Sequence, residues 1–196
     1  MNKATRIIYD EHRSISAVLS GLKELTLAAR KPGVKPDFTV FHAMIHYIDQ
    51  FPERLHHPKE DKFLFARLME RSPEARPLVE ELTREHAKGA QLVRDLESAL
   101  IAYEVNGASG APAFDAAVNA YAEFHWSHMR KEEEQVLPLA EKSLTAADWR
   151  WIEEAFAGND DPIADLREQD FQKLYSRIVS IAPAPIGLGE RWKESR

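Results

Sequence analysis

The stretch His56-His57-Pro58-Lys59-Glu60 decides the fold, because its pattern returns in His128-Met129-Arg130-Lys131-Glu132. In both stretches a histidine precedes a glutamate by four residues. On an α-helix, residues four apart lie on the same face, about one turn from each other. Each stretch therefore predicts a helix that aims an imidazole and a carboxylate at one point. Two such helices side by side would form a pocket with nitrogen and carboxylate ligands, the ligand types of non-haem metal centres.

Helical periodicity continues along nearly the whole chain, and no segment alternates like a β-strand. We predict four long amphipathic helices, over residues 5–29, 37–69, 74–104 and 114–143. The short connections between them favour an all-α fold, an up-down-up-down four-helix bundle. Pro52 and Pro58 fall inside the second helix and Pro138 inside the fourth, where each should kink or locally unwind the helix.

The chain divides into two predicted regions, a bundle over residues 1–143 and a helical extension over 144–196 that packs on it. Thr145 and Asp148 resemble a capping arrangement for a helix over 146–157. Asp161 and Pro162 open another predicted helix, which ends near Ile181. The extension is rich in aromatic residues that could cover the open end of the bundle or form the surface of a homodimer: Trp149, Trp151, Phe156, Phe171 and Tyr175.

Composition narrows the class of protein. The 196 residues are 44% hydrophobic and 30% charged, with a net charge of −6. The sequence has no basic stripe that would indicate nucleic acid as a partner, and it has no run of about 18 apolar residues that would indicate a membrane span. The charged start, without an apolar signal core, leads us to expect a cytoplasmic protein. The chain has no cysteine, so a metal would be held by nitrogen and oxygen, which favours iron, manganese or zinc.

Two further histidines lie on the apolar stripes of the first and third helices, His12 and His86. Either one alone is more often a core histidine satisfied by a hydrogen bond. The complete set is harder to explain in that way, because ionised glutamates are costly to bury without a partner and a cation removes that cost. We therefore predict a metal site.

The remaining histidines receive lesser roles. For His57 and His125, a role behind the ligands or a purely structural role is favoured over direct ligation. His42 and His46 are expected on a polar face. Asp61 is expected to point away from the site. The run Lys131-Glu132-Glu133-Glu134 resembles a solvated charge run in which Glu132 alone is in phase with His128.

These residues resemble the hemerythrin-type cation-binding domain, the HHE family. The resemblance covers about residues 5–143 and rests on four motifs with their spacing: Glu11-His12-Arg13, His56–Asp61 followed by Phe63-Leu64-Phe65, Glu85-His86-Ala87-Lys88-Gly89, and His128–Glu133 followed by Val136-Leu137-Pro138. It implies a four-helix bundle that holds two irons, with zinc or manganese as substitutes. The implied ligands are His12, His56, Glu60, His86, His128 and Glu132, and Glu60 and Glu132 would be the bridging carboxylates.

The match departs from the oxygen-carrying hemerythrins at two places. Those proteins have two histidines one turn apart on the third helix, whereas Leu82 and Ala90 stand at these spacings from His86. They also use a histidine and an aspartate five apart on the fourth helix, where this chain has Glu133 at the five-residue position. A site with fewer protein ligands leaves more coordination positions open, which favours reactivity or sensing over reversible oxygen transport.

The leading functional hypothesis is a di-iron protein that senses or reacts with oxygen, nitric oxide, peroxide or iron. Its partner would be a small diatomic ligand or peroxide, and Tyr121 is a candidate hydrogen-bond donor to such a ligand. One alternative is a small di-iron oxidase or peroxidase, although no organic substrate and no catalytic residue can be assigned. The other is a bundle with a structural metal that acts through protein–protein interaction.

Overall fold

The computed structural model describes residues 2–157 and 168–189, and most of these residues are helical, with no β-strand among them. The first helix, α1, is Lys3–Ala29. It begins at this point because the Asn2 side chain accepts a hydrogen bond from the backbone N–H of Thr5. It ends before Lys31-Pro32-Gly33, where Gly33 has a φ of 79° that disfavours any other residue.

The second long helix, α2, covers residues 38–71 without a break, but its hydrogen-bond pattern changes four times. It consists of Phe38–Ile48 (α), Asp49–His56 (π), His57–Lys59 (α), Glu60–Phe65 (π) and Ala66–Arg71 (α). The Asp37 side chain caps its start by accepting from the backbone N–H of Thr39. Pro52 lies inside the first π-helical segment, and Pro58 lies two residues before the second, so the expected distortions occur as wider turns.

Two further helices complete the set of four. After a 3₁₀ turn at Pro73–Ala75, α3 is Arg76–Asn106. The fourth helix, α4, combines Ala111–Lys131 (α), Glu132–Val136 (π) and Leu137–Ser143 (α). Its start is three residues earlier than predicted, and its π-helical segment ends two residues before Pro138. Contacts join α1 with α2, α2 with α3, α3 with α4 and α4 with α1.

The buried apolar residues form two clusters, and the ligand candidates separate them on every helix. On α1, Ile8 belongs to one cluster and Ile15 to the other, with His12 between them. On α3, Leu82 and Val93 flank His86 in the same way. The polar site is thus enclosed between two apolar layers, and each fully buried aliphatic side chain contributes about 1.5–3 kcal/mol to holding it there.

Two more helices follow the first four along the chain, and each of them contacts one of the four. Helix α5, Ala146–Ala157, contacts α1 and is capped by Thr145 and Asp148, as the sequence predicted. Helix α6, Glu168–Ile181, contacts α2, where the Tyr47 and Tyr175 rings lie 6.0 Å apart. The predicted helix start at Asp161-Pro162 and the side chain of Phe171 lie outside the described residues. Within the described portion of the chain, no helix has the length and apolar character needed to cross a membrane.

Candidate metal centre

The fold brings the six predicted ligands to one buried point between the four long helices. Helices α1 and α3 contribute one histidine each, and α2 and α4 contribute a histidine and a glutamate each. All six residues are buried, and the two glutamates are the extreme case: Glu60 is 0% exposed and Glu132 is 1% exposed. Their donor atoms form two groups that share both glutamates: His12, His56, Glu60, Glu132 and Glu60, His86, His128, Glu132.

The first group lies between α1 and α2. The Nε2 atoms of His12 and His56 are 3.1 Å apart. Nε2 of His56 lies 3.4 Å from Oε1 of Glu60, and Nε2 of His12 lies 3.4 Å from Oε2 of Glu132. Donor atoms about 2.1 Å from one ion, at right angles, would be about 3 Å apart, so these distances suit a single cation.

The second group repeats this geometry between α3 and α4. The Nε2 atoms of His86 and His128 are again 3.1 Å apart. Nε2 of His128 lies 3.2 Å from Oε1 of Glu132, and Nε2 of His86 lies 3.7 Å from Oε2 of Glu60. Each glutamate therefore turns one oxygen to the first histidine pair and the other oxygen to the second pair, the arrangement of a bridging carboxylate.

The four carboxylate oxygens of Glu60 and Glu132 have no hydrogen-bond partner among the described residues, although all four are buried. An unpaired buried carboxylate oxygen is costly, since the lost hydration is not replaced. Two cations between the histidine pairs would satisfy all four oxygens at once. The residues present therefore fit two metal ions, and the donor set of imidazole and carboxylate fits iron, manganese or zinc.

A second set of carboxylates lies close to the outer nitrogens of the four histidines. Each lies next to a ligand in the sequence but contacts a histidine of another helix. Nδ1 of His56 lies 2.7 Å from Glu11, and Nδ1 of His128 lies 3.0 Å from Glu85. The remaining two pairs, at 3.1 and 2.9 Å, are His86 with Asp61 and His12 with Glu133. Such carboxylates fix the tautomer that turns Nε2 towards the metal.

These contacts correct two predictions from the sequence. Asp61 was expected to point away from the site, but its carboxylate lies beside Nδ1 of His86 and accepts a hydrogen bond from Thr83. Glu133 is half-buried against His12 and is no freely solvated charge. The signal that could have revealed them is their position, because each of the four ligand motifs carries an acidic residue directly beside a ligand.

Several side chains of the site have strongly shifted pKa values. Burial and the neighbouring Glu132 carboxylate raise the pKa of Glu60 well above its usual value. The pKa of Glu132 is lowered, because the nearby His128 outweighs the effect of burial. Burial alone would lower the pKa of His128, but Glu132 and Glu85 raise it to about 10. A metal ion binds the deprotonated forms of these side chains, so it would displace the protons that they hold.

A second buried cluster lies beside this centre and was missed in the sequence. In this Glu53 cluster, which consists of Glu53, His57, Tyr121 and His125, the Glu53 carboxylate accepts from the Tyr121 hydroxyl at 2.9 Å and from Nε2 of His125 at 3.1 Å. Its other oxygen lies 3.4 Å from Nδ1 of His57. The signal was the spacing Glu53-x₃-His57, a reversed copy of the ligand pattern.

The structure bears on three predictions about the other side chains, namely those for Tyr121, for His57 with His125, and for His42 with His46. Tyr121 binds Glu53 and does not turn its hydroxyl to the ligand atoms, contrary to its candidate role as a donor to a small ligand. His57 and His125 are buried behind the ligands, in the positions favoured over ligation. His42 and His46 are exposed, and His42 binds Glu104, in agreement with a polar face.

Comparison with known families agrees with this geometry. The chain matches the hemerythrin HHE cation binding domain over residues 3–140, and it therefore belongs to that family. Comparisons with curated proteins and with solved structures give no match. The family defines a class of helical, cation-binding proteins, and the paired His/Glu groups are where this chain could hold its metal.

Proposed function

We propose that the protein is a non-haem di-iron protein in which Glu60 and Glu132 bridge two ions. His12 and His56 would hold the first ion, and His86 and His128 the second. The observation that carries this proposal is the even division of four unpartnered, buried carboxylate oxygens between two histidine pairs. A single ion would leave half of these oxygens unsatisfied.

Each ion would receive four protein donor atoms. Iron in such sites commonly takes more ligands than this, so coordination positions remain for a small molecule. The bound iron would supply one-electron chemistry and affinity for diatomic ligands and peroxide. The protein's own residues would orient the imidazoles and exclude bulk water. We therefore infer that the site senses or reacts with oxygen, nitric oxide, peroxide or iron itself.

The direct test is metal analysis of protein that was expressed with sufficient iron and purified without chelator. We expect about two irons per chain, and charge-transfer bands of the oxidised protein that move on addition of azide. The variant Glu132→Gln should lose most of its iron. Glu134→Gln, the same change at an exposed position of the same helix, is the matched control and should retain it. Zinc alone, or no metal, would refute the proposal.

A structural metal is the second candidate, because the ligands come from all four long helices. If this were the metal's only role, iron removal would lower the thermal midpoint, and the loaded protein would neither bind azide nor react with peroxide. Sustained turnover of peroxide would instead indicate the oxidase or peroxidase alternative.

We also propose the finer architecture predicted from the sequence. An up-down-up-down bundle over residues 1–143, with 144–196 packed on it, is supported by the contacts of each long helix with its two neighbours and of α5 and α6 with the bundle.

A further inference from the structure

The Glu53 cluster is fixed in the core from several sides, although it lies outside the ligand set. Glu53 and His57 are both about 4% exposed, and Tyr121 and His125 are fully buried. The Glu53 carboxylate occupies space that only a glycine leaves free, since a Cβ atom on Gly89 would lie 2.9 Å from Oε1. Helices α2, α3 and α4 therefore all contribute to fixing this carboxylate.

The Glu53 cluster reaches the metal centre through His57, whose nitrogen is grouped with those of His86 and His128, while its ring lies tilted at 5.6 Å from the ring of His56. A ring nitrogen of His57 lies within 4.8 Å of donor nitrogens of both His86 and His128. Its ring stacks on that of His86, with centroids 4.2 Å apart and planes 11° from parallel. On the opposite side, the ring stacked on His56 is that of Phe51, 6.3 Å away, which offers no nitrogen.

The stacking makes His57 unsuitable as a ligand of the same ion as His86. An ion bound through an imidazole nitrogen lies close to the plane of that ring, along its lone pair. Two parallel rings whose centroids are 4.2 Å apart lie in separate planes, and one ion cannot lie in both. The paired Nε2 atoms of His86 and His128, by contrast, belong to rings inclined at 65° that can point to one ion.

Glu53 determines which nitrogen of His57 is available. Its Oε2 lies 3.4 Å from Nδ1 without the geometry of a hydrogen bond, but a carboxylate can only accept, so its negative charge favours the tautomer with the proton on Nδ1. The other nitrogen, Nε2, then carries a lone pair. Its lone pair could accept a hydrogen bond from a small molecule that carries a proton and is bound at the second group, but it would offer nothing to a molecule without a proton.

We propose that His57, oriented by Glu53, accepts a hydrogen bond from a small protonated ligand, of which hydrogen peroxide is the test case, at the open position of the second metal. The inference rests on the proposed iron binding. It makes the two halves of the centre unequal, because a nitrogen of His57 is grouped with the donor nitrogens of His86 and His128, whereas the ring stacked on His56 is a phenylalanine.

The test compares His57→Phe with wild type. Phenylalanine keeps a stacked ring and removes the acceptor, and His46→Phe, the same change at an exposed site of α2, is the matched control. Three quantities are measured: irons per chain, the azide dissociation constant of the oxidised protein, and the rate at which hydrogen peroxide oxidises the diferrous protein. In that reaction one peroxide takes two electrons, one from each ferrous ion, and two protons to give two waters.

We expect H57F to retain two irons and to bind azide within about twofold of wild type, while its peroxide rate falls about tenfold, the loss of one hydrogen bond. His57→Gln, which keeps an acceptor, should recover most of the rate. His57→Leu gives the same test as H57F if that variant does not fold.

Three results would overturn the inference while leaving iron binding intact. The first is an unchanged peroxide rate in H57F. The second is a loss of azide affinity in H57F as large as its loss of peroxide rate. The third is a stoichiometry of one iron in H57F, which would make His57 a ligand. Wild-type protein without iron would overturn the proposed function and this inference with it.

Discussion

Replacement of Gly89 by alanine should destabilise the protein, although helix propensity alone predicts the opposite. Gly89 lies in the middle of α3, where alanine is normally better than glycine by about 1 kcal/mol. The new Cβ atom, however, would lie 2.9 Å from Oε1 and 3.2 Å from Oε2 of Glu53. The carboxylate cannot easily retreat, because Tyr121, His125 and His57 hold it from the other side.

The magnitude follows from these opposing effects. Overpacking of a buried site costs about 1–3 kcal/mol, and a weakened hydrogen bond to a charged group costs about 1.5–3 kcal/mol. If the clash costs about 3 kcal/mol in all and the gain in propensity is about 1 kcal/mol, the free energy of unfolding should fall by about 2 kcal/mol.

Urea unfolding of the metal-free protein, followed by circular dichroism, measures this change. Ala87→Gly, at an exposed position of the same helix, calibrates the propensity effect and should lose about 1 kcal/mol. In a Glu53→Ala background the clash is absent, so Gly89→Ala should become stabilising, a coupling of about 3 kcal/mol. A Gly89→Ala protein as stable as wild type, or one with no coupling to Glu53, would refute this close packing of α3 against Glu53.

Three further predictions concern the outer contacts and the charges. Glu85→Gln weakens the hydrogen bond that Glu85 makes with Nδ1 of His128. This variant should bind iron about 10–100-fold more weakly in competition with a chelator, with little change in fold. Iron uptake at pH 7 should release at least one proton, measured with an indicator dye, because the pKa of His128 is about 10 without metal and that of Glu60 is raised; uptake without proton release would contradict these shifts. Asp148→Asn should cost about 1–2 kcal/mol of unfolding free energy, since Asp148 caps α5 and binds Arg71. Arg71 lowers the pKa of Asp148, so this difference should be complete above about pH 4 and shrink as the pH falls below that; a constant difference down to about pH 2 would refute the assignment.

The meeting of the candidate ligands was predictable from the sequence because their signal is local. His56 with Glu60 and His128 with Glu132 are each four apart on one helix, and the apolar stripes of α1 and α3 mark His12 and His86. The helix bounds were predictable to within a few residues from the caps at Asp37 and Asp148, whose side chains bind backbone close by in the chain.

The partners across helices were not predictable, because spacing along one helix carries no information about the facing helix. Whether Glu85 meets His128 depends on the rotation and height of α3 against α4. The π-helical segments change this rotation again, since each turns the following residues out of the regular 3.6-residue phase. The prolines indicated where the helices would be distorted, but not how the backbone hydrogen bonds would be rearranged there.

The outer carboxylates also connect the four helices in a closed circuit. The acid beside the ligand on α1 supports the histidine of α2, that on α2 supports α3, that on α3 supports α4, and that on α4 supports α1. A slip of any helix by one turn, about 5.4 Å, would break a pair of these contacts as well as displace a ligand. A metal at this centre would therefore be held tightly only when all four helices are correctly aligned, so metal affinity would itself measure whether the helices are correctly assembled.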